Sequence, residues 1–391
     1  MANGAKIRVL VADDSAFMRK VLLSIIAADP QLEVAGEARD GREAVAQSEA
    51  LTPDVITMDI NMPHMDGLQA TEIIMSNKPR PIVIVSSESK EGADVTLKAL
   101  ELGAIEFVAK PSSGIDLDMN TVRDELVRKI KMASKVRVVR TATRSKLQHD
   151  VANSTPRTEA PSPIIAQVLS AATAVNPSPT AFSAIVQGAM VNGSKFPIVV
   201  IVASTGGPAT LMRFVPAFPK EFPAAVLVVQ HMPPMFTSQF SAQLAEVSSI
   251  KVKEAEQGEM IHPSTMYVCP GSHHLRVSPT GRVTLDDGPR IFGYKPCADV
   301  TLETLAQFCG PMAISAVLTG MGNDASRGVQ AIKQYGGYVI AQDEATSVIF
   351  GMPQEAIKTG AVDAVLPIEL VYQAIERRVL YIYGASKVGA L

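Results

Sequence analysis

Short, nearly continuous apolar runs alternate with longer amphipathic stretches between about residue 6 and residue 135. The runs IRVLVA, DVITM, PIVIV and IEFVA have no polar face of period two, which is typical of strands buried on both sides of a parallel sheet. The stretches FMRKVLLSIIA and VTLKALELGA carry their apolar residues at helical spacing. The pattern predicts a doubly wound α/β domain over residues 5–135.

The alternation dissolves in the middle of the chain. From about 141 to 192, Ser, Thr, Pro and Ala dominate, as in NSTPRTEAPSP, without sustained periodicity. This composition predicts a flexible linker, over residues 136–192. A coil of about 50 residues has a root-mean-square reach of roughly 40 Å, so the flanking domains could either touch or separate.

Alternation of strands and helices resumes after the linker. The runs PIVVIVA, AAVLVVQ and AISAVLT predict buried strands of a second doubly wound, Rossmann-like domain over residues 193–386. The stretch from Ile250 to Leu285 is richer in turn residues, and it predicts a small antiparallel element within that domain.

Composition narrows the class of protein. A hydrophobic content of 47% with 19% charged residues is ordinary for a globular protein, and no apolar run is long enough to insert into a membrane. The net charge of -3 argues against nucleic acid as a partner.

The N-terminal apolar stretch runs directly into two carboxylates, unlike a signal peptide, so we expect a cytoplasmic protein. Three cysteines without CxxC spacing indicate buried thiols rather than a disulfide framework or zinc site.

Polar residues follow four predicted strands of the first domain. The strands end on Asp13 with Asp14, on Asp59, on Ser86 and on Lys110. Carboxyl ends of parallel strands open on one crevice, so these side chains are expected to converge. Three carboxylates repel one another unless a cation joins them, and Mg²⁺ prefers such oxygen ligands. Helix capping by Asp13 and Asp14 is the alternative.

The first domain resembles the receiver domain of two-component response regulators. The resemblance rests on VADDS, MDINMPHMDG, the serine after VIV, and the Lys-Pro pair at 110 and 111. It implies a flavodoxin-like fold with Asp59 as phosphoryl acceptor and a chemotaxis histidine kinase as phosphodonor. Phe107 fills the approximate position of an aromatic residue that is Tyr in many members.

The same resemblance implies how the phosphoryl site is built. Asp14 and Asp59 would be ligands of Mg²⁺, with Asp13 acting through water and the backbone carbonyl of Asn61 completing the site. The hydroxyl of Ser86 would move onto the phosphoryl group. Lys110 would supply it with a positive charge.

Three strands of the second domain end near residues of a nucleophilic relay: Ser204, His231 and Asp324. Ser204 lies in a sharp turn with Gly206 and Gly207, and His231 is the one histidine that directly follows a predicted buried strand of this domain. A serine needs a base, and the base needs an orienting group, so convergence in one crevice predicts acyl transfer or hydrolysis. Taken singly, Ser204 could cap a helix or bind phosphate, His231 could be structural, and Asp324 could be an N-cap.

The segments ASTGGP, VVQHMP, TGMGND and QDEATSVIFGMPQEAI resemble the catalytic domain of the chemotaxis protein-glutamate methylesterases. The resemblance implies Ser204 as nucleophile, His231 as general base and acid, and Asp324 as the orienting carboxylate. It also implies that backbone N–H groups of Thr205 and Met321 form the oxyanion hole.

Together the two resemblances imply a phosphorylation-activated esterase. It would hydrolyse glutamate γ-methyl esters on chemoreceptors, releasing methanol, and the same chemistry on glutamine would be deamidation. No metal or cofactor is expected in the ester step, and the unphosphorylated receiver domain would cover the catalytic crevice. The alternative is a phospho-switched binding or scaffold protein with an inactive esterase fold. A DNA-binding response regulator would need a basic helix-turn-helix pattern, which is absent.

Overall fold

The computed structural model describes residues 5–86, 90–110, 119–136 and 196–388. Apart from Val136, the predicted linker over 136–192 lies outside these residues. No helix within the described ranges is both long enough and apolar enough to cross a bilayer. The three cysteines are buried, as the sequence predicts.

The first half of the chain forms a five-stranded parallel sheet in the order β2-β1-β3-β4-β5. Its strands are β1 (Ile7–Ala12), β2 (Leu32–Ala38), β3 (Val55–Asp59), β4 (Ile82–Ser86) and β5 (Glu106–Ala109). Its helices are α1 (Ala16–Ala28), α2 (Gly41–Leu51), α3 (Gly67–Asn77), α4 (Lys90–Glu101) and α5 (Met119–Ala133). The predicted doubly wound fold is confirmed.

The second half forms a seven-stranded parallel sheet in the order β14-β13-β12-β6-β7-β9-β8. Its strands are β6 (Ile198–Ala203), β7 (Ala225–Gln230), β8 (Lys251–Glu254), β9 (Thr265–Val268), β12 (Ala313–Val317), β13 (Tyr338–Gln342) and β14 (Ala364–Leu366). Its helices are α6 (Gly207–Phe214), α7 (Pro234–Val247), α8 (Ala298–Cys309), α9 (Ser326–Gln334), α10 (Met352–Lys358) and α11 (Ile368–Val388).

The predicted antiparallel element is the pair β10 (His274–Val277) and β11 (Val283–Asp286). The predicted small antiparallel element is confirmed, and β8 and β9 of the same stretch join the parallel sheet. Within the described residues, β10 and β11 are the only named strands that pair antiparallel, and isolated antiparallel bridges join Met260 to Arg282 and Ile291 to Tyr294.

Each parallel sheet contains a point at which the chain reverses its direction of winding. In the first sheet this point lies between β1 and β3, and in the second it lies between β6 and β12. Loops on either side of such a point diverge and leave a crevice at the carboxyl ends of the strands. The two crevices are where the predicted polar clusters fall.

The two halves pack against each other through α4 and β5 of the first and α7 of the second. Phe107 stacks on Phe236 with ring centroids 4.4 Å apart, and both rings are buried. Beside them, the amides of Gln239 and Gln243 donate to the Asp94 carboxylate over 2.6 Å and 3.2 Å. The contact combines a buried apolar centre with polar bonds, which is typical of specific interfaces.

Candidate active site and phosphoryl site

The first crevice brings together the carboxylates that the sequence places at the ends of β1 and β3. Lys110 Nζ lies 2.9 Å from Asp13 Oδ2 and 2.8 Å from Asp59 Oδ2. Asp59 Oδ1 also accepts a 2.8 Å hydrogen bond from the backbone N–H of Ile60. One oxygen each of Asp13, Asp14 and Asp59 lies within 4.8 Å of the others.

The charges in this crevice perturb one another. Burial raises the pKa of Asp59 above its usual value, since the opposing hydrogen bond from Lys110 does not fully compensate and Asp13 adds like-charge repulsion. The pKa of Lys110 is also raised, because its contacts with Asp59 and Asp13 outweigh the effect of burial. Excess carboxylate oxygen in a partly buried site is the donor set that a hard divalent cation requires.

Helix capping does not explain Asp13 and Asp14. The N-cap of α1 is Ser15, whose hydroxyl accepts from the backbone N–H of Met18 over 3.3 Å. Asp14 is exposed, whereas Asp13 is fully buried. The capping alternative is therefore wrong for both residues.

Two further residues predicted for this crevice are Ser86, which lies beside Lys110, and Asn61, which lies close to Asp59 in the chain. Ser86 is buried at the end of β4, and its hydroxyl donates to the carbonyl of Gly92 over 3.5 Å. Its own carbonyl accepts from the N–H of Lys110, which fixes the two strand ends side by side. Asn61 is exposed two residues beyond Asp59.

The second crevice holds Ser204, His231 and Asp324. Ala203 pairs with Gln230 in the register of β6 and β7, so Ser204 and His231 are the next residues on adjacent strands. His231 Nε2 lies 2.8 Å from Asp324 Oδ2. The carboxylate therefore contacts Nε2 and not Nδ1, whereas in the chymotrypsin-type proteases the carboxylate takes Nδ1.

Asp324 is buried against the N-terminus of α8 rather than at the start of its own helix. Its carboxylate accepts from the backbone N–H groups of Ala298 at 2.7 Å and Asp299 at 3.0 Å, and the thiol of Cys297 donates over 3.3 Å. The N-cap of α9 is Ala325, so the capping alternative for Asp324 is wrong. Asp324 instead serves as a cap for α8, supplied from another part of the chain.

This environment keeps Asp324 charged. Burial works to raise the pKa of Asp324, but the hydrogen bond with His231 and those from Ala298 and Asp299 outweigh it, so the pKa lies below its usual value. The positive end of the α8 dipole acts in the same direction. By contrast, burial and the neighbouring Asp324 raise the pKa of the Cys297 thiol to about 12, so Cys297 remains a neutral donor.

The turn that carries Ser204 depends on two glycines. Gly206 has φ +74°, and α6 begins after it without a side-chain cap, so Ser204 does not cap this helix. A Cβ on Gly207 would lie 2.0 Å from Gln230 Oε1. The Gln230 amide donates to the carbonyls of Ser204 at 2.9 Å and His231 at 3.1 Å, which holds both loops in place.

Sequence reasoning missed Gln230 and Tyr294. The only signal for Gln230 is a polar residue ending an otherwise apolar strand. Tyr294 stacks on the His231 ring with centroids 4.7 Å apart and planes at 21°. It comes from an irregular segment between β11 and α8, where no periodicity identifies it. The stack restricts the orientation of the imidazole.

Both residues predicted for the oxyanion hole contact the first half of the chain. Thr205 is buried, and its hydroxyl donates to Glu106 Oε2 over 2.7 Å. The sulfur of Met321 accepts from the guanidinium of Arg128 over 3.6 Å. The crevice is therefore covered at this end by β5 and α5.

Comparisons with known proteins identify both halves. The model of the CheB methylesterase family matches residues 199–375, and that of the response regulator receiver domain matches residues 9–121. The protein-glutamate methylesterase/protein-glutamine glutaminase of Pyrococcus abyssi is 44% identical over 391 residues, covering 99% of this chain and 97% of its own. That of Thermotoga maritima is 41% identical, covering 92% and 95%. The chain belongs to the CheB methylesterase family.

Among solved structures, the CheB methylesterase catalytic domain of Thermotoga maritima is 41% identical and covers 47% of this chain and 99% of its own, with a TM-score of 0.46. The predicted family and enzyme class are confirmed: the protein is a hydrolase with an N-terminal receiver domain. The alternative of a scaffold without turnover finds no support in these relatives.

Proposed function

We propose that the protein hydrolyses γ-methyl esters of glutamate residues on chemoreceptors, releasing methanol, and deamidates glutamine residues in the same crevice. The supporting observation is the 2.8 Å contact between His231 and Asp324. These residues lie beyond the carboxyl ends of β7 and β12, the two strands that flank β6, and Ser204 directly follows β6. We assign the receiver domain to residues 5–135, the linker to 136–192 and the esterase domain to 193–386, in the cytoplasm.

The chemistry begins with proton transfer from Ser204 Oγ to His231 Nδ1 as the serine attacks the ester carbonyl. Ionised Asp324 stabilises the imidazolium that forms. N–H groups of Thr205 and Met321 stabilise the developing oxyanion, at about 3 kcal/mol per donor. The imidazolium then protonates the departing methoxide, and methanol leaves.

Water completes the cycle. His231 takes a proton from water, which attacks the acyl-enzyme ester, and the proton returns to Ser204 as the glutamate carboxylate is released. With glutamine as substrate the leaving group is ammonia instead of methanol. The product is the same carboxylate, so one set of residues serves both reactions.

Phosphorylation of Asp59 by a chemotaxis histidine kinase would control this cycle. Asp13, Asp14 and Asp59, with the carbonyl of Asn61, fit a Mg²⁺ ion, which when bound would neutralise negative charge around the phosphoryl group. Lys110 would pair with a phosphoryl oxygen in place of Asp59 Oδ2.

Ser86 would couple this crevice to the rest of the receiver domain, because it stands at the end of β4. In the unphosphorylated chain its hydroxyl bonds the carbonyl of Gly92 near the start of α4. When the hydroxyl turns to a phosphoryl oxygen, that bond is lost, and α4 is the helix that packs against α7.

The covered crevice supports autoinhibition. Three contacts hold the receiver domain against the catalytic end of the esterase domain. They join Phe107 to Phe236, Glu106 to Thr205, and Arg128 to Met321. Changing a closed population of 99:1 into a mostly open one takes several kcal/mol. A doubly charged phosphoryl group on Asp59, together with its Mg²⁺, would supply a free energy of this size.

Methanol release from methylated receptor membranes, with and without a small-molecule phosphodonor, tests the proposal. Release should rise with the phosphodonor, and Ser204→Ala should abolish it while Asp59 is still phosphorylated. Substantial release by Ser204→Ala would rule out the nucleophile. Deletion of residues 1 to about 190 should raise methanol release in the absence of phosphodonor. Unchanged or lower release would contradict inhibition by the receiver domain.

A further inference from the structure

A tight hairpin stands at the mouth of the catalytic crevice, between β11 and α8. The N–H of Ile291 donates to the carbonyl of Tyr294 and the N–H of Tyr294 donates to that of Ile291, both over 3.0 Å. Phe292 and Gly293 form the tip with φ of +51° and +88°. Positive φ at both central residues is the signature of a type I′ turn.

Phe292 is an unusual residue for this tip. Asn, Asp and Gly are favoured where φ is positive, and a bulky side chain is strained there. Its ring is nonetheless 72% exposed, with the Arg327 guanidinium 4.7 Å from the ring centroid. Neither backbone preference nor burial accounts for a phenylalanine here, so its role lies at the surface.

The hairpin tip also carries two cations, Arg290 and Lys295. The nearest carboxylates in the sequence lie just outside it: Asp287, Asp299 and Asp286, the last of which pairs with Arg276. Arg290 donates to the carbonyl of Gly293 over 3.3 Å, and Lys295 donates to that of Asp287 over 2.7 Å. Among the described side chains, no carboxylate forms an ion pair with either cation, so both charges remain available to a ligand.

The inner strand of the hairpin belongs to the catalytic centre. Tyr294, two residues from Phe292, stacks on His231. A protein segment whose glutamate ester enters the crevice therefore passes close to the tip. Phe292 is exposed even while the receiver domain covers Thr205 and Met321, so the tip is accessible before the crevice opens.

We infer that the hairpin tip, residues 290–295, docks the acidic part of the receptor segment that flanks the glutamate ester. The inference rests on the proposed function. Phe292 packs on the apolar side of the segment, while Arg290 and Lys295 face its carboxylates. Charge complementarity selects this occupant, since every ester hydrolysed turns a neutral side chain into a carboxylate and leaves the segment more acidic.

Steady-state kinetics of the phosphodonor-activated full-length protein on methylated receptor test the docking site. Phe292→Ala should raise KM for receptor about tenfold, the effect of losing an exposed aromatic anchor, with kcat little changed. Arg290→Glu with Lys295→Glu should raise KM further, and this increase should shrink at high salt, since it arises from exposed charges. Turnover of p-nitrophenyl acetate, which has no flanking segment, reports on the catalytic residues alone.

Tyr381→Ala is the matched control, because Tyr381 is 63% exposed and also carries a guanidinium, that of Arg378, 5.1 Å from its ring centroid. It should leave KM unchanged. Unchanged receptor KM in Phe292→Ala would overturn the docking site, as would an equal loss of p-nitrophenyl acetate turnover, which would mean that the hairpin acts through His231. A change confined to self-association, measured by sedimentation, would make the tip a contact between copies of this chain and also overturn it. Wild type that cleaves p-nitrophenyl acetate but releases no methanol would instead defeat the proposed function.

Discussion

The hydroxyl of Thr205 donates a 2.7 Å hydrogen bond to the carboxylate of Glu106, a residue of the receiver domain. Glu106 directly precedes Phe107, whose ring stacks on Phe236 of the esterase domain. A change in β5 would thus act on the aromatic contact and on the residue after the proposed nucleophile together. The proposed inhibitory contact and the proposed oxyanion hole therefore share Thr205.

Glu106→Ala should raise methanol release in the absence of phosphodonor. The variant loses a hydrogen bond to a charged group, an interaction worth about 1.5–3 kcal/mol, so the increase should be roughly tenfold or more. Fully phosphorylated protein should show little difference from wild type. Glu33→Ala removes an exposed glutamate of β2 and serves as the control; equal unstimulated rates for all three proteins would exclude an inhibitory role for Glu106.

Asp59→Asn should abolish activation by a phosphodonor while leaving unstimulated methanol release close to that of wild type. The amide cannot accept a phosphoryl group, but the esterase crevice is untouched. Asp54→Asn, at an exposed aspartate just before β3, should still be activated. Activation of Asp59→Asn would place the acceptor elsewhere.

Asp324→Asn should lower kcat by about 10³–10⁴, because the amide no longer fixes the imidazole tautomer or stabilises the imidazolium. KM should change little. Labelling of Ser204 by a serine-directed acylating reagent should slow in parallel. A kcat within tenfold of wild type would contradict the orienting role of Asp324.

The pKa of Asp324 predicts how acid affects stability. A carboxyl with a lowered pKa binds its proton less readily in the folded chain, so its ionised form stabilises the fold above the usual 3.8. That contribution should be lost as the pH falls below 3.8 and through the lowered value. Urea unfolding should show a wild-type advantage over Asp324→Asn at pH 7 that disappears in strong acid; a constant difference across this range would contradict the shift.

Sequence pattern predicts most of the strands that are buried on both faces, because a continuous apolar run has few alternatives, but β13 (YVIAQ) is not among the predicted strands. It also misses β2, whose LEVAGEA alternates with charged residues at the sheet edge. Sheet topology brings Lys110 to Asp13 and Asp59, and His231 to Asp324. Glu106 and Tyr294 could not be foreseen in this way: the Glu106 contact depends on how two domains dock, and Tyr294 reaches His231 from an irregular loop.

The sequence also could not predict which ring nitrogen of His231 contacts Asp324. Ser204, His231 and Asp324 can be named from their strands, but the choice between Nε2 and Nδ1 follows from the direction in which Asp324 approaches. That direction is set by its bonds to the N–H groups of Ala298 and Asp299. A helix terminus distant in sequence thus decides which imidazole nitrogen contacts the carboxylate.

The buried stack of Phe107 on Phe236 would give the proposed switch a temperature dependence. Separating the domains brings both rings into water, so opening carries a positive heat capacity change, as unfolding does on a larger scale. Apolar contacts weaken on cooling, and the closed form loses part of its advantage in the cold. Inhibition of the unphosphorylated enzyme would thus be weaker at low temperature.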